Sequence, residues 1–292
     1  MTWYERMNEA IEYIEENLCG DIDFGVISKI VGQSPVNFQR TFSVVTDISV
    51  FEYIRRRKMT LAAFEFQSGD AKVIDVALKY GYESPEAFTR AFKEIHGIPP
   101  AATRRHGGSL RAFPRISFLL SVKGAAAMEY RIENREAFRV YGIEGIFTME
   151  DEQNFRDIPK FWNECMNDGS CDRLINSTNE PLSRIHAVCD YRATGGNTFS
   201  YMIFTCRTEN SNTEGFAEVE IPAATWAVFK TEKYPQEGVS EAVQSLMKRV
   251  YTDWMPTAGY KKLEGYELEL YLADELDECY SEIWIRVEAK QS

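Results

Sequence analysis

Along the first third of the chain, apolar positions recur at helical spacing and stop at glycine or polar breaks. The opening segment, MTWYERMNEAIEYIEENL, is polar with a helical pattern. Residues 27–31 carry Ile27, Ile30 and Val31 at helical spacing and end at Gly32. A second segment then opens with Ser34-Pro35 and carries Phe38 and Phe42 four apart, one buried stripe. Fifty residues on, the pattern repeats: residues 76–80 end at Gly81, Ser84-Pro85 opens the next segment, and Phe88 and Phe92 form its stripe. Between the copies, residues 50–67 are helix-compatible through Phe51, Ile54, Met59, Leu61, Ala62 and Phe64, and Ser68-Gly69-Asp70 stops them.

Each copy predicts helix, tight turn, helix. Gly32 and Gly81 permit the left-handed backbone that ends a first helix. Ser34 and Ser84 are good N-caps, and Pro35 and Pro85 suit the first helical position. With both Phe pairs turned inward, Val36, Asn37, Gln39 and Arg40 face outward in copy one, and Glu86, Thr89, Arg90 and Lys93 in copy two. Short polar side chains and one Arg at a helix N-terminus suit reading of a DNA major groove. The alternative is a six- or seven-helix bundle whose hairpins are only structural; two copies with the same caps, stripe and Arg favour DNA binding. The intervening rod of about 27 Å is long enough to set two reading helices about one DNA turn apart, roughly 34 Å. Arg55, Arg56, Arg57 and Lys58 on that rod are expected to touch phosphate in part.

The pattern changes from about residue 128. Strands are predicted over 130–133, 138–145, 184–191, 200–207, 218–221, 226–230, 266–272 and 281–288. Helices are predicted over 154–166 and 239–254, the first with Ile158, Phe161, Trp162 and Cys165 on one side. Read as strand, helix, strand, strand occurring twice, this is a pseudo-duplicated α+β domain. The fold expected for the whole chain is therefore two domains: an all-α domain at 1–107 with two helix-turn-helix motifs joined by a long helix, a linker at 108–127 opening with Gly107-Gly108, and the α+β domain at 128–292. Residues 113–122 are too apolar for a free linker and are expected to dock on a domain or begin a strand.

Strand parity in the last two strands suggests a binding face. Leu268, Leu270 and Leu272 alternate with Glu267, Glu269 and Tyr271; Ile283, Ile285 and Val287 alternate with Glu282, Trp284 and Arg286. If the aliphatic faces both turn to the helices, Tyr271 and Trp284 stand among carboxylates on the other side, as walls for a flat cation. The alternative is an ordinary amphipathic sheet with surface aromatics.

Composition supports this division. The 292 residues suit two domains, each large enough to bury its own core. At 44% hydrophobic the chain is not largely disordered. A net charge of −12 argues against a general nucleic-acid coat, but it is uneven: residues 24–110 carry 12 basic and 8 acidic side chains, whereas residues 111–292 carry 20 and 30. No apolar run reaches about 18 residues and the N-terminus lacks a signal-peptide core, so a cytoplasmic location is expected. The six cysteines show no metal spacing and are expected to be mostly buried thiols; the three histidines are scattered. No metal or cofactor is expected. No G-x-S-x-G, H-E-x-x-H or P-loop occurs, so no enzyme is expected.

Residues 5–106 resemble the AraC/XylS family DNA-binding domain, above all from Gly81-Tyr82-Glu83-Ser84-Pro85 through Gly97-Ile98-Pro99-Pro100. The resemblance implies base contacts by Val36, Gln39 and Arg40 in copy one and by Glu86, Thr89 and Arg90 in copy two, with Lys93 nearby. Val36 stands where some relatives carry a bulky aromatic, so base preference is not carried over. RNA polymerase is the protein partner that a regulator of this kind implies. Residues 128–290 resemble the GyrI-like effector-binding domains, including integron-cassette and multidrug-sensor branches, through Ile221-Pro222-Ala223-Ala224-Thr225-Trp226, Tyr251-Thr252-Asp253-Trp254-Met255-Pro256, Glu269-Leu270-Tyr271 and Glu282-Ile283-Trp284. That resemblance implies a groove for a bulky, aromatic or cationic small molecule, with Glu269 as its buried acid. Tyr271, Trp284, Trp226 and Trp162 are the candidate walls. Some GyrI-like proteins are hydrolases, so a hydrolytic second domain, or one that binds a protein, is the alternative.

Overall fold

A computed structural model of the protein describes residues 1–68, 71–103, 110–119, 128–149, 153–180, 183–195, 197–273 and 278–290. Gly69-Asp70, Gly107-Gly108, Gly196 and the linker residues 108–109 and 120–127, to which the sequence pattern assigns stops, turns and a boundary, lie outside the described residues. Two compact units are present. One comprises Met1–Phe38 and Ile48–Ser121; the other comprises Gln39–Asp47 and Val122–Ser292.

The helical elements run α1 Trp3–Glu16, α2 Phe24–Val31, α3 Pro35–Thr46, α4 Val50–Ser68, α5 Val73–Lys79 and α6 Pro85–His96. The caps are those the sequence calls for. Ser34 Oγ accepts from the Asn37 amide at 3.3 Å and Ser84 Oγ from the Ala87 amide at 3.1 Å. Gly32 and Gly81 adopt φ of 68° and 78°, where a side chain would be strained. Phe66, Phe88 and Phe92 pack at ring distances of 5.7 to 6.1 Å in a core completed by Met59, Val76 and Ile95. Burial of that aromatic trio fixes the second helix pair against α4.

Residues 110–119 dock on this helical unit. Asn8 brackets Phe118, donating to its carbonyl and accepting from its amide at 2.8 Å each. The Phe113 amide donates to Thr60 Oγ1 at 3.1 Å, and Arg57 donates to the Phe113 carbonyl at 2.6 Å. The basic run on α4 is largely engaged in ion pairs and hydrogen bonds within the unit, with Arg55 and Arg56 still partly exposed. Arg57 pairs with Glu15, Arg55 with Glu52 and Glu94, Arg56 with Glu52, and Lys58 donates to the Tyr80 carbonyl. Each guanidinium finds a carboxylate one helix turn away or on a neighbouring helix, which a reading of α4 in isolation misses.

The second unit is an α+β domain built on an antiparallel sheet. Its strands are β1 Tyr130–Arg135, β2 Phe138–Thr148, β3 His186–Cys189, β4 Thr198–Cys206, β5 Ala217–Ile221, β6 Ala224–Lys230, β7 Tyr260–Lys262, β8 Glu267–Ala273 and β9 Cys279–Ala289. Helices α7 Gln153–Asn167 and α8 Ser170–Asn176 follow β2, and α9 Val239–Arg249 with a π-helical turn at Val250–Trp254 follows β6. The spatial order is β1-β6-β9-β8-β3-β4-β2-β5, with β7 on β9. Each repeat therefore holds two strands before its helix, one more than the expected pattern. Each repeat also lends its first strand to the far edge of the other, β1 beside β6 and β5 beside β2.

Both faces of the sheet are covered. On one, α9 and its π turn pack Val243, Leu246, Met247, Tyr251 and Trp254 onto Ala227, Phe229, Ile283 and Ile285. On the other, Val140, Val188, Met202, Phe204, Leu268, Trp226 and Trp284 form a second core. Cys165, Cys171 and Cys189 are buried, whereas Cys19 and Cys206 are exposed, so half the thiols depart from the expected burial or stand at its margin.

Candidate functional site

The site forms at the middle of the sheet, where β8 lies between β9 and β3. Directly opposed residues of antiparallel strands share a face. Glu269 opposes Ile283 on β9 and Ala187 on β3, and Glu267 opposes Cys189, which opposes Tyr201 on β4. Glu267, Glu269 and Tyr271 thus rise on the helix-bearing face. Trp284 opposes Leu268 on β8 and Val228 on β6, so it lies on the opposite face.

This register corrects the expected walls. Trp284 is buried in the far core, 6.0 Å from the Trp226 ring, and its indole N–H donates to Glu282 at 2.9 Å. Arg131 holds Glu282 through two hydrogen bonds, and the guanidinium groups of Arg131 and Arg135 stand 5.6 and 5.2 Å from the Trp284 ring. Trp226 is fully buried. Neither Trp284 nor Trp226 reaches Glu269. The cause is a one-residue offset: the aliphatic residues of β9 share a face with the carboxylates of β8, because both faces of the sheet are covered and amphipathic parity does not choose between them.

Tyr271 does meet Glu269, and Trp162 packs on Tyr271. The Tyr271 hydroxyl donates to Glu269 Oε2 at 2.8 Å, and the Trp162 ring packs edge-on at 5.6 Å from that of Tyr271. Trp162 Nε1–H donates to the Tyr201 hydroxyl at 2.7 Å, and Phe147 and Phe161 close around Tyr201. Tyr201 and Phe147 are walls that sequence reasoning missed. Their signal was the alternation of aromatic residues in 199–204 opposite 143–147, legible only once β2 and β4 are paired.

Glu267 is a second, deeper acid, which the strand pattern sets on the face of Glu269 without giving it a role. It is buried with Lys262, whose ammonium pairs with it, and accepts from the Tyr251 hydroxyl at 3.1 Å. Burial alone would raise the Glu267 carboxyl; the charges of Arg40 and Lys262 and the hydrogen bonds from Lys262 and Tyr251 outweigh it and hold the pKa at about 2. Burial likewise opposes the Lys262 charge, but Glu267 and Tyr251 restore it and lift the pKa to about 12. Burial pushes the Cys189 thiol up to about 12, against the pull of Arg40, so it stays protonated. Burial and the adjacent Glu269 push the Tyr201 and Tyr271 hydroxyls well above their ordinary range, keeping them as donors. Behind β8, His186 accepts from the Tyr271 amide through Nδ1 at 3.2 Å, and burial, with a smaller contribution from Arg184, lowers its pKa to about 4.

The remaining member of this unit is the segment Gln39–Asp47. Arg40 reaches both acids, with 2.5 Å to Glu267 Oε2 and 3.3 Å to Glu269 Oε1, and its side chain is 17% exposed. Gln39 is buried and donates to Asn197 at 3.4 Å, Lys248 pairs with Asp47, and Val44 and Val45 pack against the α9 core. The expectation that Gln39 and Arg40 face outward therefore does not hold. Asn37 is buried as well and Val36 half-buried. Helix α3 has a second apolar side, Val44 and Val45, and its Arg finds two carboxylates. In copy two the outward side stays open: Glu86, Arg90 and Lys93 are exposed and Thr89 is half-buried. Among the described residues no cluster of His, Cys, Asp and Glu has the arrangement of a metal site, and no helix is long and apolar enough to cross a membrane.

Comparison with known proteins matches two stretches of the chain, the first of which runs through Gln39–Asp47. The family model described as Cass2, integron-associated effector binding protein, matches residues 131–287, and a helix-turn-helix domain model matches residues 27–106. The multiple antibiotic resistance protein MarA of Salmonella typhimurium is 32% identical over 111 residues, 37% of this chain and 87% of MarA. The HTH-type transcriptional regulator YbfP of Bacillus subtilis is 38% identical over 103 residues, 35% of each chain, so only about a third of YbfP is spanned. Among solved structures, that of SAV2435 bound to tetraphenylphosphonium aligns with 55% of this chain and 94% of its own, at 18% identity and a TM-score of 0.44.

Proposed function

The chain belongs to the AraC-type helix-turn-helix regulators and, through residues 131–287, to the integron-associated effector binding proteins, and on that premise we propose that it couples a hydrophobic cation to transcription. The finer reading is a one-component regulator. Two helix-turn-helix motifs joined by α4 read DNA, with Glu86, Thr89 and Arg90 in the second reading helix, and the duplicated α+β unit binds the effector. RNA polymerase is the further partner this reading requires.

One observation carries the effector class. Two carboxylates, Glu267 and Glu269, share the helix-bearing face of β8 beside Trp162, Tyr201 and Tyr271, and the buried Lys262 neutralises only one of them. Apart from Arg40, the site carries one unbalanced negative charge among aromatic faces. Such a site favours a cation with apolar substituents, because partial exclusion of water strengthens both the Coulombic and the cation–π attraction.

The test is calorimetric titration of the full chain with tetraphenylphosphonium and with neutral triphenylphosphine oxide. Glu269→Gln keeps the shape and removes the charge. It should weaken the cation by about 1–3 kcal/mol, the scale of a charged hydrogen-bonding partner, and the neutral compound far less. Equal losses for both would make the carboxylate structural and refute the cationic reading.

A further inference from the structure

The site on β8 is built for a planar, forked cation, and the chain supplies one. Arg40 sets one terminal nitrogen 2.5 Å from Glu267 and the other 3.3 Å from Glu269. Carboxylates two apart on one strand rise on the same face, so one guanidinium presents a separate terminal nitrogen to each, which the single point charge of an ammonium does not. The surrounding groups are arranged for the same purpose. Lys262 and the Tyr251 hydroxyl take Glu267 Oε1, and the Tyr271 hydroxyl takes Glu269 Oε2. One oxygen of each carboxylate is left: Glu267 Oε2 forms an ion pair with Arg40, and Glu269 Oε1 accepts a hydrogen bond from it.

We propose that this site is a guanidinium receptor whose resident ligand is Arg40, and that an external cation enters by displacing it. The inference rests on the effector reading above for the external ligand, but not for the guanidinium itself. Its consequence is regulatory. The sequence resemblance assigns Arg40 to DNA reading, and one guanidinium cannot hold Glu267 and Glu269 and reach a base edge at once. Effector and DNA therefore favour the same state, in which Arg40 has left the acids, and each strengthens binding of the other. Arg40 competes as a tethered ligand, at the millimolar effective concentrations typical of short tethers. The apparent affinity for any external cation is reduced by the fraction of sites Arg40 occupies.

The experiment compares full-length wild type with Arg40→Ala, using N-butylguanidinium as probe and N-butylurea as its neutral control, by calorimetry. The variant should bind butylguanidinium at least about tenfold more tightly than wild type, with no such gain for butylurea. Equal affinity for butylguanidinium in both proteins overturns the proposal. Arg40→Lys keeps a charge on the helix and removes the fork, and should give a smaller gain; it stands in if Arg40→Ala does not fold. In wild type, saturating tetraphenylphosphonium should speed amide hydrogen exchange in residues 39–47 several-fold, and unchanged exchange with the cation bound also overturns displacement. A chain that binds butylguanidinium as predicted but never tetraphenylphosphonium retains the receptor and loses the effector reading, so the two ideas fail separately.

Discussion

Glu269 and Trp284 lie on adjacent, hydrogen-bonded strands yet project to opposite faces of the sheet, because Glu269 opposes Ile283 and Trp284 opposes Leu268. That single register separates the chemistry of the site from the core beneath it. Trp284 has its own acid, Glu282, and its own cations, Arg131 and Arg135. It is complete without a ligand.

Substitutions at the two tryptophans should therefore diverge. Trp284→Phe should lower stability, since it opens space in a packed core and leaves Glu282 short of a donor, but should change tetraphenylphosphonium affinity less than twofold. Trp162→Phe removes the donor to the buried Tyr201 hydroxyl and reshapes the wall beside Tyr271. It should cost about 0.5–2 kcal/mol of binding, the range of one cation–aromatic contact and its support. Paired calorimetric and urea titrations decide; a larger binding loss in Trp284→Phe would place the effector on the other face.

Much of this arrangement is readable from residues alone, and the limit is instructive. Local rules suffice for the reading helices, because Ser-Pro caps, glycine ends and Phe stripes act within a turn or two. The aromatic–acidic character of β8 is also plain from Glu267, Glu269 and Tyr271. What fails is non-local. Parity along β9 says which residues share a face but not which face meets β8, since register depends on pairing across the sheet. Likewise the outward side of α3 is outward only for an isolated hairpin. Nothing in Gln39, Arg40, Val44 and Val45 marks them for burial until Glu267 and Glu269 are placed opposite.

Arg90 is the exposed arginine of α6, the helix proposed to read DNA in the second copy. Arg90→Ala should weaken specific operator binding by about 1–3 kcal/mol, and random duplex far less, if it reads a base edge. Lys93→Ala should weaken both alike and reduce the salt slope by about one. Fluorescence anisotropy at several salt concentrations separates the two. Equal losses on operator and random duplex for Arg90→Ala would reassign it to phosphate.

Acid should lower the stability of the α+β unit over two successive pH ranges. His186 has a folded pKa of about 4 against an ordinary 6.5, so its neutral form is the native one. Its contribution is complete above 6.5 and is lost as pH falls from 6.5 to 4, amounting to about 3 kcal/mol. Glu267, depressed from 4.5 to about 2, contributes fully above 4.5 and loses that contribution as pH falls below it. His186→Asn keeps an acceptor for the Tyr271 amide without a titrating group. Urea midpoints between pH 7 and 4 should fall steeply in wild type and remain nearly flat in His186→Asn; parallel curves would remove His186 from the account.

The state of Arg40 should be visible in the length of DNA protected. With Arg40 on Glu267 and Glu269, only the helix carrying Arg90 presents its outward residues, and footprinting should show one patch. Saturating tetraphenylphosphonium, by displacing Arg40, should add a second patch about 10 bp away, one helical turn along the same face of the duplex. Glu269→Gln should raise the baseline toward two patches, because it weakens the hold on Arg40, while needing more cation for the residual response. The sign of this double effect is the useful part. A carboxylate that served only the effector would leave the cation-free footprint unchanged, and one that served only the fold would leave the cation requirement unchanged. Movement of both in opposite senses is expected only if effector and reading helix share one acid.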